Sequence, residues 1–170
     1  MFYRKHLRST LYSLLALGLL ASCASPQPAA TQPGVKPLPT QASSARADVL
    51  SVSITGMPGA YQFSVEVRSP DLGCEQYADW WEIIDEQGNL IYRRILTHSH
   101  VSEQPFQRAG GPVAIQADTI IYVRAHMHPG GYGGQALRGS VLAGFQNANP
   151  GPDFAAGLAT TPPLPQGCDF

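Results

Sequence analysis

The sequence predicts an all-β protein: an antiparallel two-sheet sandwich of about seven strands, carried behind an N-terminal address and a tether. Three observations predict it. From Asp48 onward apolar and polar residues alternate in short runs, the period of strands with one buried face. Gly and Pro clusters separate those runs at intervals of about 8–12 residues, the spacing of a sandwich. The composition agrees: 44% of residues are hydrophobic and only 14% charged, with 17 Gly and 15 Pro among 170. That balance favours loop-rich β structure over helix.

The strands follow one another through residues 48–146. Leu50, Val52 and Ile54 alternate with Ser and Thr, and Met57-Pro58-Gly59 turns the chain. Tyr61, Phe63, Val65 and Val67 then alternate with Gln62, Ser64, Glu66 and Arg68. After a turn at residues 69–73 comes a hairpin over residues 77–100. It has a strand bearing Trp80 and Trp81, a turn at Gln87-Gly88-Asn89, and a return strand ending in His98-Ser99-His100. Adjacent strand residues face opposite ways, so one of the two Trp side chains is expected in the core. Asp79, Glu82, Asp85 and Glu86 read as a solvated edge. Residues 102–112, with Pro105, Gly110, Gly111 and Pro112, read as irregular, and residues 113–116 as a short strand. The next strand puts Ile121, Val123, Ala125 and Met127 on one face and Tyr122, Arg124, His126 and His128 on the other. Residues 129–134 form a flexible turn and residues 137–145 return. Residues 147–170, rich in Asn, Gly and Pro, read as an irregular tail.

Ahead of this domain, residues 1–22 have the make-up of a secretory signal peptide. Arg4, Lys5 and Arg8 precede an apolar run over residues 10–20, which is shorter than the roughly 20 residues a bilayer span requires. The exit, Leu20-Ala21-Ser22-Cys23, resembles the lipobox of bacterial lipoproteins. The resemblance implies cleavage before Cys23 and attachment of diacylglycerol to its thiol, making the membrane a partner through that lipid. Small residues let a protease reach the backbone, and a thiol is the nucleophile a lipid transferase needs. Acyl chains then anchor the protein at about 0.8 kcal/mol per buried CH2. Ala24 is not the aspartate associated with inner-membrane retention, so the resemblance implies an outer-membrane position facing the periplasm. An ordinary signal peptide with an incidental Cys23 is the alternative. Residues 23–47 continue as a Pro/Ala/Gln-rich stretch with no hydrophobic period, expected to be a disordered tether. Loss of the signal peptide removes three cations and leaves a mildly acidic chain. Such a chain offers no footprint for nucleic acid.

The Trp-bearing third strand, and the sixth strand led by Asp118 and carrying Tyr122, resemble those of immunoglobulin and fibronectin type III domains. The resemblance spans residues 48–146 and implies an immunoglobulin-like sandwich. The inter-sheet disulfide of immunoglobulins is not matched, because no cysteine lies in the sixth strand. Cys74 and Cys168 remain once Cys23 is lipidated. In an oxidising envelope an even pair reads as a disulfide, here one that pins the tail. Two free thiols acting as metal ligands are the alternative.

The mature chain keeps four histidines, in two His-x-His pairs: His98 with His100, and His126 with His128. On a strand, residues i and i+2 share a face, so two imidazoles can converge on one ion, zinc or copper. An immunoglobulin-like order would bring both pairs to one end of the sandwich, with Glu103 near enough to supplement them. The alternative is four separate surface or hydrogen-bonding groups. No His-Glu-x-x-His, Cys-x-x-Cys or Gly-x-Ser-x-Gly occurs, and residues 130–134 lack the Gly-Lys-Ser/Thr of a phosphate loop. The sequence therefore points away from an enzyme with a certain cofactor. It points to a lipid-anchored envelope module binding a protein or small ligand near these histidines. A periplasmic copper- or zinc-binding protein is the alternative.

Overall fold

The computed structural model describes residues 45–169. The expected signal peptide, Cys23 and most of the tether lie outside the described residues. The expected all-β sandwich is present, in eight strands among the described residues. One sheet has three strands in the order β1 (Asp48–Thr55), β2 (Tyr61–Arg68), β5 (Phe106–Val113). The other has five, in the order β4 (Leu90–Ile95), β3 (Tyr77–Asp85), β6 (Ile121–His128), β7 (Ala136–Ser140), β8 (Gly144–Ala148). All the strand pairs are antiparallel.

The core lies between the sheets. The three-stranded sheet supplies Val49, Phe63, Val65, Val67, Phe106 and Val113; the five-stranded sheet supplies Trp81, Ile83, Ile121, Val123, Ala125, Met127 and Leu137. The β2 and β6 alternations therefore read correctly. Trp81 is the core tryptophan, and Trp80 points the other way. In β1 a bulge between Val49 and Ser51 breaks the expected alternation, so Val49 is fully buried while Leu50 is only half-buried. Ala45 and Ala47, assigned to the tether from composition, pack on the core, and Ala47 is buried.

The largest departure is β5. Its Gly and Pro residues read as a loop, yet the strand runs through them from Phe106 to Val113. It lies at the edge of its sheet, where Pro112 forfeits no ladder bond that a neighbour needs. Gly110 allows a close approach between the layers: a Cβ there would stand 2.7 Å from the Tyr92 hydroxyl and 2.9 Å from Trp81 Cζ2. The tail also differs from expectation. It contributes part of β8 and a short 3-10 helix, Ala156–Thr160; the expected Cys74–Cys168 disulfide joins it to the domain.

Candidate functional site

β3 is the central strand of the site. It lies between β4 and β6, and Tyr77 through Ile84 are buried on both faces. The inner face meets the core. The outer face carries polar side chains, and the tail covers it.

Glu82 is the centre of that outer face. Its register partners are Arg93 on β4 and Arg124 on β6, so one carboxylate is flanked by two guanidinium groups. Arg93 donates to Glu82 Oε2 through Nε at 2.8 Å and Nη2 at 2.6 Å; Arg124 Nε donates to Oε1 at 2.8 Å. Both guanidinium groups also donate to the tail. Arg93 donates to the carbonyls of Leu158, Thr161 and Pro163, and Arg124 to those of Phe154 and Ala155. A buried charge needs this degree of pairing, because desolvation otherwise outweighs the Coulombic gain. The expected solvated edge is thus half wrong. Asp85 and Glu86 do sit at the exposed turn, where Asp85 accepts from Asn89 and Gln87. Those hydrogen bonds hold the Asp85 carboxyl below its ordinary value. Glu82 and Asp79 are buried.

Asp79 reaches the outer face through a bulge. The β3–β6 register shifts between Ala78 and Trp80, so Ala78 and Trp81 both face the core while Asp79 and Trp80 both face outward. A bulge re-aims a side chain in this way at a cost of one ladder position. Asp79 Oδ1 lies 2.6 Å from His126 Nδ1. The His126 ring stacks on Trp80 at 3.8 Å between centroids and 5° between planes, and it meets the edge of Tyr132 at 4.8 Å. Arg93 lies over Trp80, and Arg124 over Tyr132. Burial, and then the charge of Glu82, push the Tyr132 hydroxyl well above its ordinary value. Among the described residues neither that hydroxyl nor the Trp80 indole N–H has a hydrogen-bond partner.

A cleft of about 530 Å³ opens beside this cluster. Its floor is Tyr77, Asp79, Trp80, His126 and His128; its wall is tail, including Leu164 and Pro165, with the disulfide at the rim. Because Asp79 engages Nδ1, the nitrogen His126 can offer a ligand is Nε2. His128 is exposed, and its ring lies 5.9 Å from that of Tyr77.

The other histidine pair lies elsewhere. β4 ends at Ile95, so His98 and His100 lie beyond the strand rather than on it, yet their rings are neighbours as expected, 4.5 Å apart between centroids. His100 turns inward and stacks on Phe106 of the opposite sheet at 3.7 Å. Its Nδ1 stands 3.8 Å from Asp71 Oδ2, and among the described residues neither ring nitrogen has a hydrogen-bond partner. Burial pushes its pKa down to about 4. His98 is exposed and forms a bridge with Asp169. Among the described residues no group of three or more His, Cys, Asp or Glu could hold a metal ion. The single site built from all four histidines is therefore not formed, because the chain leaves the sheet between Ile95 and His98.

Comparison with known proteins gives one informative likeness. The chain is 38% identical over 92 residues to a protein of Halomicrobium mukohataei described as "Putative lipoprotein". The match covers 54% of this chain and 45% of that relative, so it spans about half the relative's length. The likeness is to a lipoprotein, which accords with a place in the cell envelope. No family model matches, and no solved structure matches. Among the described residues no helix is long and apolar enough to cross a membrane.

Proposed function

We propose that this chain is a lipid-anchored envelope protein whose sandwich is a binding module, with its ligand seated in the Trp80–His126 cleft. The observation that carries this reading is the bulge at Asp79. It places a carboxylate behind His126 on a buried aromatic floor, an arrangement with no purpose in core packing. Polar groups converging in an otherwise apolar cleft are the usual make-up of a small-ligand or peptide site. Anchoring rests on Cys23 and is tested separately. A Cys23→Ala variant should leave the membrane fraction; a variant that still sediments with membranes removes the lipid from the account. Density-gradient separation of inner from outer membrane decides the outer-membrane position. For the cleft, a thermal-shift screen of saccharides, amino acids and short peptides is run on wild type and His128→Ala. Ligands that stabilise only the wild type support the cleft; none doing so sinks it.

A second reading keeps zinc or copper as the ligand, now through His126 and His128 alone. It is favoured by the Asp79–His126 bond, since a carboxylate on the far nitrogen is the usual support of a metal-binding imidazole. The expected outcome is micromolar uptake of zinc or copper(II) that disappears in His128→Ala and weakens about 10–100-fold in Asp79→Asn. His98→Ala should have no effect on it. Calorimetric titration that detects no uptake at neutral pH ends this reading.

A further inference from the structure

We propose that the Cys74–Cys168 cystine is a redox site whose reaction partner is a dithiol, and that its reduction lifts the end of the tail off the Trp80–His126 cleft while the rest of the tail stays bound. The functional consequence rests on the reading of that cleft as the ligand site. The tail is held in two separate ways. Up to Pro163 it is held by Arg93 and Arg124, whose donors occupy five carbonyls between Phe154 and Pro163. The Phe154 ring also packs on Tyr122 at 5.3 Å. None of these contacts involves the cystine.

Past Pro163 the hold changes. Among the described residues, residues 164–167 make no hydrogen bond. The next anchors are Cys168 itself and the Asp169 N–H, which donates to the Thr97 carbonyl at 2.6 Å. This weakly held stretch makes most of the wall of the cleft: Leu164, Pro165, Gly167 and Cys168 all line it, while Ala159 lines it from the clamped part of the tail. Breaking the cystine therefore leaves the end of the tail on the isolated β-bridge between Asp169 and His98, a short exposed backbone pairing that competes with water and holds little. The fixed φ of Pro165 stiffens the stretch, so it swings from the last clamped carbonyl as a short flap. Both cysteines are half-buried and line the open cleft, the side from which a thiolate would approach.

In the reaction, one thiolate of the dithiol attacks a cystine sulfur, and the other cystine sulfur departs as a thiolate that takes a proton. The second thiol of the reductant then attacks the mixed disulfide and releases the remaining cysteine, which is protonated in turn. The protein gains two electrons and two protons, and the dithiol becomes its own disulfide.

The test is histidine footprinting of the mature chain with diethyl pyrocarbonate, read residue by residue by mass spectrometry. The oxidised protein is compared with protein reduced by dithiothreitol and blocked with iodoacetamide. His128, already exposed, is the reference, and His100, buried against the other sheet, reports wholesale opening. The expected result is a rise of about an order of magnitude in the His126 rate, with His128 and His100 unchanged, the pattern of a local opening. An unchanged His126 rate overturns the proposal. A His100 rate that rises together with His126 overturns it too, because the domain then opens as a whole. The footprint uses no ligand, so its failure leaves the cleft reading to the separate thermal-shift screen.

Discussion

At the scale of single residues, the outer face of β3 and the interior position of His100 carry the sharpest consequences. Glu82 is the shared partner of two buried arginines, so its loss strands two charges. Glu82→Ala should cost roughly 3–5 kcal/mol in urea denaturation, the usual loss when one member of a buried ion pair is removed. A loss below about 1 kcal/mol would mean that the arginines find solvent, as exposed pairs do. His100 makes a different prediction. Its folded pKa of about 4 lies below its ordinary 6.5. The unfolded chain therefore binds the proton more readily between those values. The contribution of neutral His100 is complete above pH 6.5 and drains away as pH falls toward 4, by about 3 kcal/mol in all. In a His100→Phe variant the melting temperature should fall less between pH 7 and pH 4 than in the wild type. Parallel curves for the two proteins would show that another group carries the acid sensitivity.

At the scale of elements, β5 shows what composition hides. Gly110, Gly111 and Pro112 read as loop because each disfavours a strand taken alone. An edge position tolerates the missing Pro donor, and the crossing of Trp81 and Tyr92 demands the missing Gly side chain. Gly110→Ala should destabilise the sandwich by about 1–3 kcal/mol through overpacking, measured as a lower urea midpoint at unchanged slope. The bulge in β3 is the other element-scale feature. The pair Trp80-Trp81 signals opposite faces correctly, but nothing in a single strand says that Asp79 will share the outward face with Trp80. That depends on where β6 places its hydrogen bonds. The four acids of this hairpin look alike in sequence. Only two lie at the turn, and the other two are matched by Arg93 and His126 from strands that arrive separately. The available clue was numerical: Arg93 and Arg124 sit mid-strand on the two neighbours of Glu82, and mid-strand charges of opposite sign on three adjacent strands suggest a buried row.

At the scale of the whole molecule, the tail converts an open sheet face into an interior. Its covalent hold joins residues separated by 94 positions. Closing a loop of that length removes enough unfolded-state entropy for roughly 4–5 kcal/mol. A Cys74→Ala/Cys168→Ala variant should lose stability of that order in urea denaturation. A much smaller loss would place the main hold in the arginine clamp. The two sheets otherwise share one core, with Phe63 and Phe106 facing Trp81 and Ile83 across the layers.

What the sequence determined by itself is what local pattern can carry. Residues 61–67 and 121–127 alternate so cleanly that each marks which of its faces meets the apolar core. What only the tertiary structure decided is the fate of the second face. Whether Glu82 meets solvent or two arginines, whether the tail hangs free or forms a wall, and whether two histidine pairs converge all depend on contacts between residues far apart in the chain. The physical reason is that a polar side chain encodes a need for a partner without encoding which one. An apolar alternation, by contrast, already specifies the only place its residues can go.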